Sequence, residues 1–114
     1  MEINTQDYRI CYDPATATVS FAGFLRLIGL VEYEQIAQLL SDVGDLKQPK
    51  ITLNLQNLKF MNSSSINILS KFIIEVRKKV GVQIAIQGSL LIPLPNKSLK
   101  NLRRLMPALE LKLI

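Results

Sequence analysis

Asn62 is followed by three serines, Ser63, Ser64 and Ser65, and then by Ile66, Leu69, Ile73, Val76 and Val80 at alternating intervals of three and four residues. That spacing predicts one apolar helix face over about four turns, with Gly81 as its stop. The polar run therefore falls on a helix N-terminus, where the first N–H groups lack intrahelical partners and the helix dipole leaves partial positive charge. A serine placed there can do one of two things. It can cap the helix by accepting a free N–H, the commoner use of Asn and Ser at such positions, or it can present its hydroxyl to solvent, where an attached phosphate would be stabilised.

Other chemistry has little to work with. The chain of 114 residues contains no histidine and one cysteine, Cys11. Ser-His-Asp and Cys-His nucleophile systems need an imidazole base, and zinc sites and disulfide scaffolds need several Cys or His. No glycine-rich phosphate loop and no cluster of metal ligands is visible, and Gly23 and Gly29 stand isolated. The reading is of a protein that is not an enzyme, with no catalytic residue, metal or cofactor. Cys11, on an apolar strand pattern, is expected to be a small buried hydrophobe.

The elements that position the serine run follow from periodicity. Tyr8 to Tyr12 alternates, Asp13-Pro14 supplies a turn, and Thr18 to Gly23 resumes the strand pattern, giving an opening hairpin. From Tyr33, apolar residues recur at Ile36, Ala37, Leu40 and Val43 on one helical face until Gly44. Ile51, Leu53 and Leu55 share a strand face, and a short turn is expected between that strand and Asn62. Val82 to Ile86 is another strand, Pro93 and Pro95 hold a loop open, and a third helix is expected from Asn96 or Lys97, with Leu99, Leu102, Leu105 and Met106 inward. Pro107 ends it, and Leu109 to Leu113 forms a last strand. The order predicts a single α/β domain over residues 1–114: a mixed sheet, antiparallel at its start and parallel later, covered by about three helices.

A Leu53-Asn54-Leu55 strand followed by Phe60-Met61-Asn62-Ser63-Ser64 and an amphipathic helix resembles the signature of STAS domains, the family of the anti-sigma-factor antagonists. Gly23 and Leu25 stand where that family has a Gly-Glu-Leu-Asp turn, so the resemblance spans nearly the whole chain. It implies that Ser63 is a phosphoacceptor, with Ser64 as second choice. It also implies an anti-sigma-type serine kinase and a serine phosphatase as partners, and a contact surface of Arg26, Asn62, Ser63, Ser64, Ser65 and Ile66. The function implied is a bacterial, cytoplasmic phosphoprotein that regulates transcription by switching partners. Three positions depart from the family pattern: Asn62 replaces Asp, Ser65 replaces Gly, and Phe24 and Arg26 replace the acids of the turn.

Charge supplies the alternative. Residues 1–58 carry four Lys/Arg against seven acids, whereas residues 59–114 carry ten against two. Lys71, Arg77, Lys78 and Lys79 on the second helix and Lys97, Lys100, Arg103 and Arg104 on the third could make a constitutive binding module for an acidic protein. Nucleic acid is disfavoured because Phe72 is the one aromatic residue among these cations. Phe72 and Ile74 flank the main helical stripe, either widening the core contact or leaving an apolar strip for a partner. Small-ligand binding leaves no readable trace. The start lacks the basic and apolar regions of a signal peptide, and no apolar run approaches the roughly 18 residues of a membrane span, so the expected location is the cytoplasm.

Overall fold

Ile10, Val19, Phe21, Ile51, Leu53, Ile84 and Ile86 are buried, and the alternation of strand side chains sends most of their neighbours to the opposite side of one sheet. The structure is a computed structural model and describes residues 1–91 and 100–114. The loop expected at Pro93 and Pro95, the helix start at Asn96 or Lys97, and inward Leu99 lie outside the described residues. The elements are β1 (Glu2–Asn4), β2 (Tyr8–Asp13), β3 (Thr18–Leu25), α1 (Leu30–Asp45), β4 (Lys50–Met61), α2 (Ser63–Arg77), β5 (Gln83–Gly88) and β6 (Glu110–Leu113). A 3-10 turn over Arg103–Leu105 precedes β6.

The six strands lie side by side in sequence order. β1–β2 and β2–β3 are antiparallel, and β3–β4, β4–β5 and β5–β6 are parallel, as the hairpin-then-alternation pattern predicts. α1 and α2 pack against each other and against the core face. The opposite face carries the cross-strand row Cys11, Ser20, Asn54 and Gln87, all half-buried and in register. No helix among the described residues is long and apolar enough to cross a membrane.

Several local expectations are corrected. β1 was not expected; three residues carry too short a pattern to register, and pairing with β2 is what extends them. Cys11 is half-buried on the open face, because Ile10 takes the core side of the same strand. α1 begins at Leu30 rather than Tyr33, and Gly44 lies buried inside it. A Cβ at Gly44 would stand 3.4 Å from Lys79 Nζ and 3.6 Å from Phe72 Cε1, so this glycine sits at the contact with α2 instead of stopping the helix. On α2 the buried stripe is Ser65, Ile68, Leu69, Phe72, Ile73 and Val76. Phe72 thus joins the core and Ile74 is half-buried at its margin. Val80 is fully exposed, since the helix ends at Arg77, before the periodic pattern does. In the last helical segment, Leu102 and Met106 are buried, Leu105 is half-buried, and Leu109 joins the core ahead of β6.

The turn expected between the β4 strand and α2 does not exist. β4 runs on through Met61, and it gains residues against β3 at two irregularities, between Ser20 and Ala22 and between Gly23 and Phe24. The Asn54 side chain accepts the Gln56 N–H at 3.1 Å at the first of these. The bulge lengthens the interval of buried leucines from two (Leu53, Leu55) to three (Leu58), which breaks the alternation that sequence reading relies on.

Tyr8 ties this sheet to α1. Its ring is buried, at 4% exposure, and its hydroxyl donates to Glu32 Oε1 at 3.3 Å. Burial, reinforced by the Glu32 carboxylate, pushes the phenol up to about 12. Between pH 10 and 12 the folded chain therefore keeps a proton that the unfolded chain has lost. The associated stability is complete below pH 10 and falls as pH rises through that window, by up to about 3 kcal/mol. A tyrosinate absorbance titration is expected to contain a late step near pH 12 that disappears in Tyr8→Phe. If the step lost in Tyr8→Phe had its midpoint near the ordinary tyrosine value of about 10, the Tyr8–Glu32 contact would not be acting as described.

Candidate functional site

β4 delivers Asn62 to the start of α2 in extended geometry, with φ −89° and ψ 178°. Its side chain acts twice. Oδ1 accepts the Ser65 N–H at 3.1 Å, which caps the helix, and Nδ2 donates to the Leu27 carbonyl at 3.0 Å, which holds the β3–α1 segment against the helix start. The two bonds fix the amide orientation, because a flipped group would set donor against donor and acceptor against acceptor.

Ser65 is fully buried. Its hydroxyl has the Asn62 carbonyl at 2.8 Å, Asn62 Oδ1 at 3.0 Å and the Leu25 carbonyl at 3.1 Å as acceptors for its single proton. The Asn62 N–H also donates to Leu25 O, at 3.2 Å. Ser65 thus forms an internal strut between α2 and β3.

With Asn62 capping and Ser65 buried, Ser63 is left exposed at the first helical position, and its hydroxyl makes no hydrogen bond to any described residue. Ser64 is half-buried and lines a hollow of about 380 Å³ with Leu27, Ile28, Gly29, Leu30, Tyr33 and Lys71. Tyr33 joins the two helices across it, its hydroxyl donating to Asn67 Oδ1 at 2.6 Å, while Lys71 Nζ stands 5.4 Å from the Tyr33 ring centroid. Ile66 is half-buried behind the serines and packs on the core. The segment beside the hollow is apolar and open to solvent: Ile28 is 92% exposed and Leu30 71%, with Val31 next to them.

Arg26 is exposed, one residue beyond the Leu25–Met61 pair that ends the β3–β4 ladder, and it lies over the rings of Phe24 and Phe60. The structure therefore gathers Asn62, Ser63, Ser64 and Ser65 at one helix start, with Arg26 on the strand end beside it. Sequence reading missed Ile28, Leu30 and Tyr33, and it set Lys71 on a basic helix face and not at this hollow. Lys71 carries a signal that could have found it, since it falls two turns after Ser64 on the same helix side.

No protein-family model matches the chain, and no curated protein matches it in sequence. Solved structures do match. A chain from the complex of the diguanylate cyclase SiaD with its activator SiaC, from Pseudomonas aeruginosa, superposes over 100% of this chain and 99% of its own, with a TM-score of 0.73 at 15% identity. An anti-sigma factor antagonist from Mycobacterium paratuberculosis matches over 95% of this chain and 90% of its own, with a TM-score of 0.69 at 15% identity. The fold is STAS-like. Apo-SiaC from Pseudomonas aeruginosa matches over 99% and 98%, with a TM-score of 0.72 at 13% identity. At these identities the likeness is one of backbone, and it accounts for the sheet order and the helix placement.

Proposed function

We propose that this chain is a cytoplasmic, non-enzymatic regulator that docks on a signalling protein through the α2 start and the Ile28–Val31 segment, and that phosphorylation of Ser63 switches the docking off. The observation that carries this reading is the division of labour in the serine run. Asn62 supplies the cap and Ser65 the strut, and Ser63 keeps an uncommitted, exposed hydroxyl. A phosphate there adds roughly −1.5 to −2 charges beside the free N–H groups of the first turn, so the fold tolerates it. A docked interface built on Ile28 and Leu30 does not, because the dianion would have to be stripped of water against apolar surface.

The partner of the first reading is an anti-sigma-type serine kinase that supplies its own ATP, with a serine phosphatase reversing the modification; Ser64 is the second acceptor. A diguanylate cyclase is the other partner class, supported by the end-to-end match to a chain of the SiaD–SiaC complex. The constitutive module on basic helices receives less support. Arg77 donates to the Leu105 carbonyl at 2.7 Å, and Lys78 and Lys79 pair with Glu75 and Asp45 at 3.3 and 3.1 Å, so three of its cations are engaged within the chain.

The test combines peptide mass spectrometry of the protein from its native cells with capture of the partner by variants. The expected results are a phosphate on Ser63, partner binding kept by Ser63→Ala, and a loss of roughly tenfold or more in Ser63→Asp. An unmodified Ser63 in growing and stressed cells, together with undiminished binding by Ser63→Asp, would overturn the switch in favour of the constitutive module.

A further inference from the structure

Phe24 and Phe60 are register partners at the C-terminal ends of β3 and β4, and Phe24 is 43% exposed on the side of the sheet away from the core. Phe24 follows the plain alternation of β3, whose inward residues are Val19, Phe21 and Leu25; the second irregularity adds a residue to β4, which sets Phe60 opposite Phe24 and Met61 against the core. The Arg26 guanidinium carbon lies 5.5 Å from the Phe24 ring centroid and 5.1 Å from that of Phe60, and Lys59 Nζ lies 6.0 Å from the Phe24 centroid. All three distances are within cation–π reach. Neither cation meets a carboxylate among the described residues, whose ion pairs are Arg9–Glu2, Lys50–Glu110, Lys78–Glu75 and Lys79–Asp45. Residues 92–99 contain no Asp or Glu.

We infer that Phe24, Arg26, Lys59 and Phe60 form a second contact surface, for an acidic segment of a protein partner. The surface is present whether or not Ser63 is modified, and so goes beyond the switch proposed above. Two rings hold the guanidinium, which removes much of the rotamer freedom that a free arginine loses on binding, and the planar donor fork keeps its edge for a carboxylate. Lys59 offers a second, point-like charge beside it, and the ring edges offer apolar area to the aliphatic stems of Asp and Glu neighbours. A nucleic acid fits less well. The ring faces that bases would stack on already carry cations, the adjoining open-face positions Ser20, Ala22, Thr52 and Asn54 are uncharged, and Arg9, the register partner of Ala22, is paired with Glu2 at 3.1 Å.

The test is fluorescence anisotropy with a short labelled peptide rich in Asp, Glu and Leu, titrated with the full chain at physiological salt. Arg26→Ala and Lys59→Glu are each expected to weaken binding roughly tenfold. Arg26→Lys, which keeps the charge and loses the fork, should weaken it several-fold, and Phe24→Leu, which keeps apolar area and loses the stacked ring, should do likewise. Arg104→Glu, an exposed charge reversal remote in sequence from the patch, should change it less than twofold, and Ser63→Ala should leave it unchanged, which separates this surface from the serine switch. Equal losses in Arg104→Glu and Lys59→Glu would reduce the effect to net charge and overturn the proposal. So would absence of peptide binding, or preferential binding of a single-stranded oligonucleotide that depends on the same four residues.

Discussion

Replacing Gly23 by alanine is expected to lower the unfolding free energy by about 2–5 kcal/mol, made up of a left-handed backbone penalty of about 1–2 and overpacking of about 1–3. Gly23 has φ +93°, and a Cβ there would lie 2.3 Å from the Asp7 carbonyl oxygen. That obstacle is backbone, and it is itself engaged, since the Phe24 N–H donates to the same oxygen at 2.8 Å. The new methyl group therefore cannot be accommodated by a rotamer change; β2 and β3 must separate locally. The displacement would travel to the candidate site, because Leu25, two residues on, offers the carbonyl that receives the Asn62 N–H and the Ser65 hydroxyl. Gly81→Ala is the control. Gly81 has φ +83° but nothing within 4 Å of a Cβ, so only the backbone penalty of about 1–2 kcal/mol applies. Urea denaturation of both variants separates the clash from the dihedral cost, and equal losses would show that the Asp7 contact contributes nothing.

The second large effect is expected at Asn62. Asn62→Ala removes the cap, worth about 1 kcal/mol, and the tether to Leu27, worth about 1 more, so a loss of about 2 kcal/mol is expected. Asn62→Asp, which keeps the size of the side chain and replaces its one donor by an acceptor, is the more informative change. The carboxylate would still accept the Ser65 N–H, and its charge suits the helix N-terminus. The Nδ2 donor, however, would become an oxygen facing the Leu27 carbonyl at about the present 3.0 Å, turning attraction into repulsion. We expect Asn62→Asp to be less stable than the natural chain despite its better charge, by about 1 kcal/mol. Amide exchange should accelerate over residues 27–30, the segment that carries Ile28 and Leu30. An aspartate variant as stable as the natural chain, with unchanged exchange there, would remove the tether from the account. The same data bear on docking, since the apolar segment proposed to meet the partner is held in place by this bond.

From β2 to β5 the order of elements, the switch from antiparallel to parallel pairing and the helix start at the serine run are readable from periodicity and turn residues, and the lack of imidazole chemistry from composition, because each is a local property of the chain. What the individual side chains at that helix start do was not readable. Asn62 and Ser65 are both plausible caps by sequence, and their separate roles depend on the Leu27 and Leu25 carbonyls, which lie 35 and 40 residues away along the chain. The β-bulges in the β3–β4 pair likewise come from pairing. They shift the alternation of β4 so that Leu58 is buried and Phe60 comes to stand opposite Phe24, which no count along β4 reveals. Cys11 and Val80 were misplaced for related reasons: a strand residue's face depends on which side the helices cover, and a helix can unwind before its periodic pattern ends. Local sequence determined the elements and where the serines fall. Long-range hydrogen bonds and strand register decided which serine is left free and which rings and cations meet, since these contacts exist only once the sheet has closed.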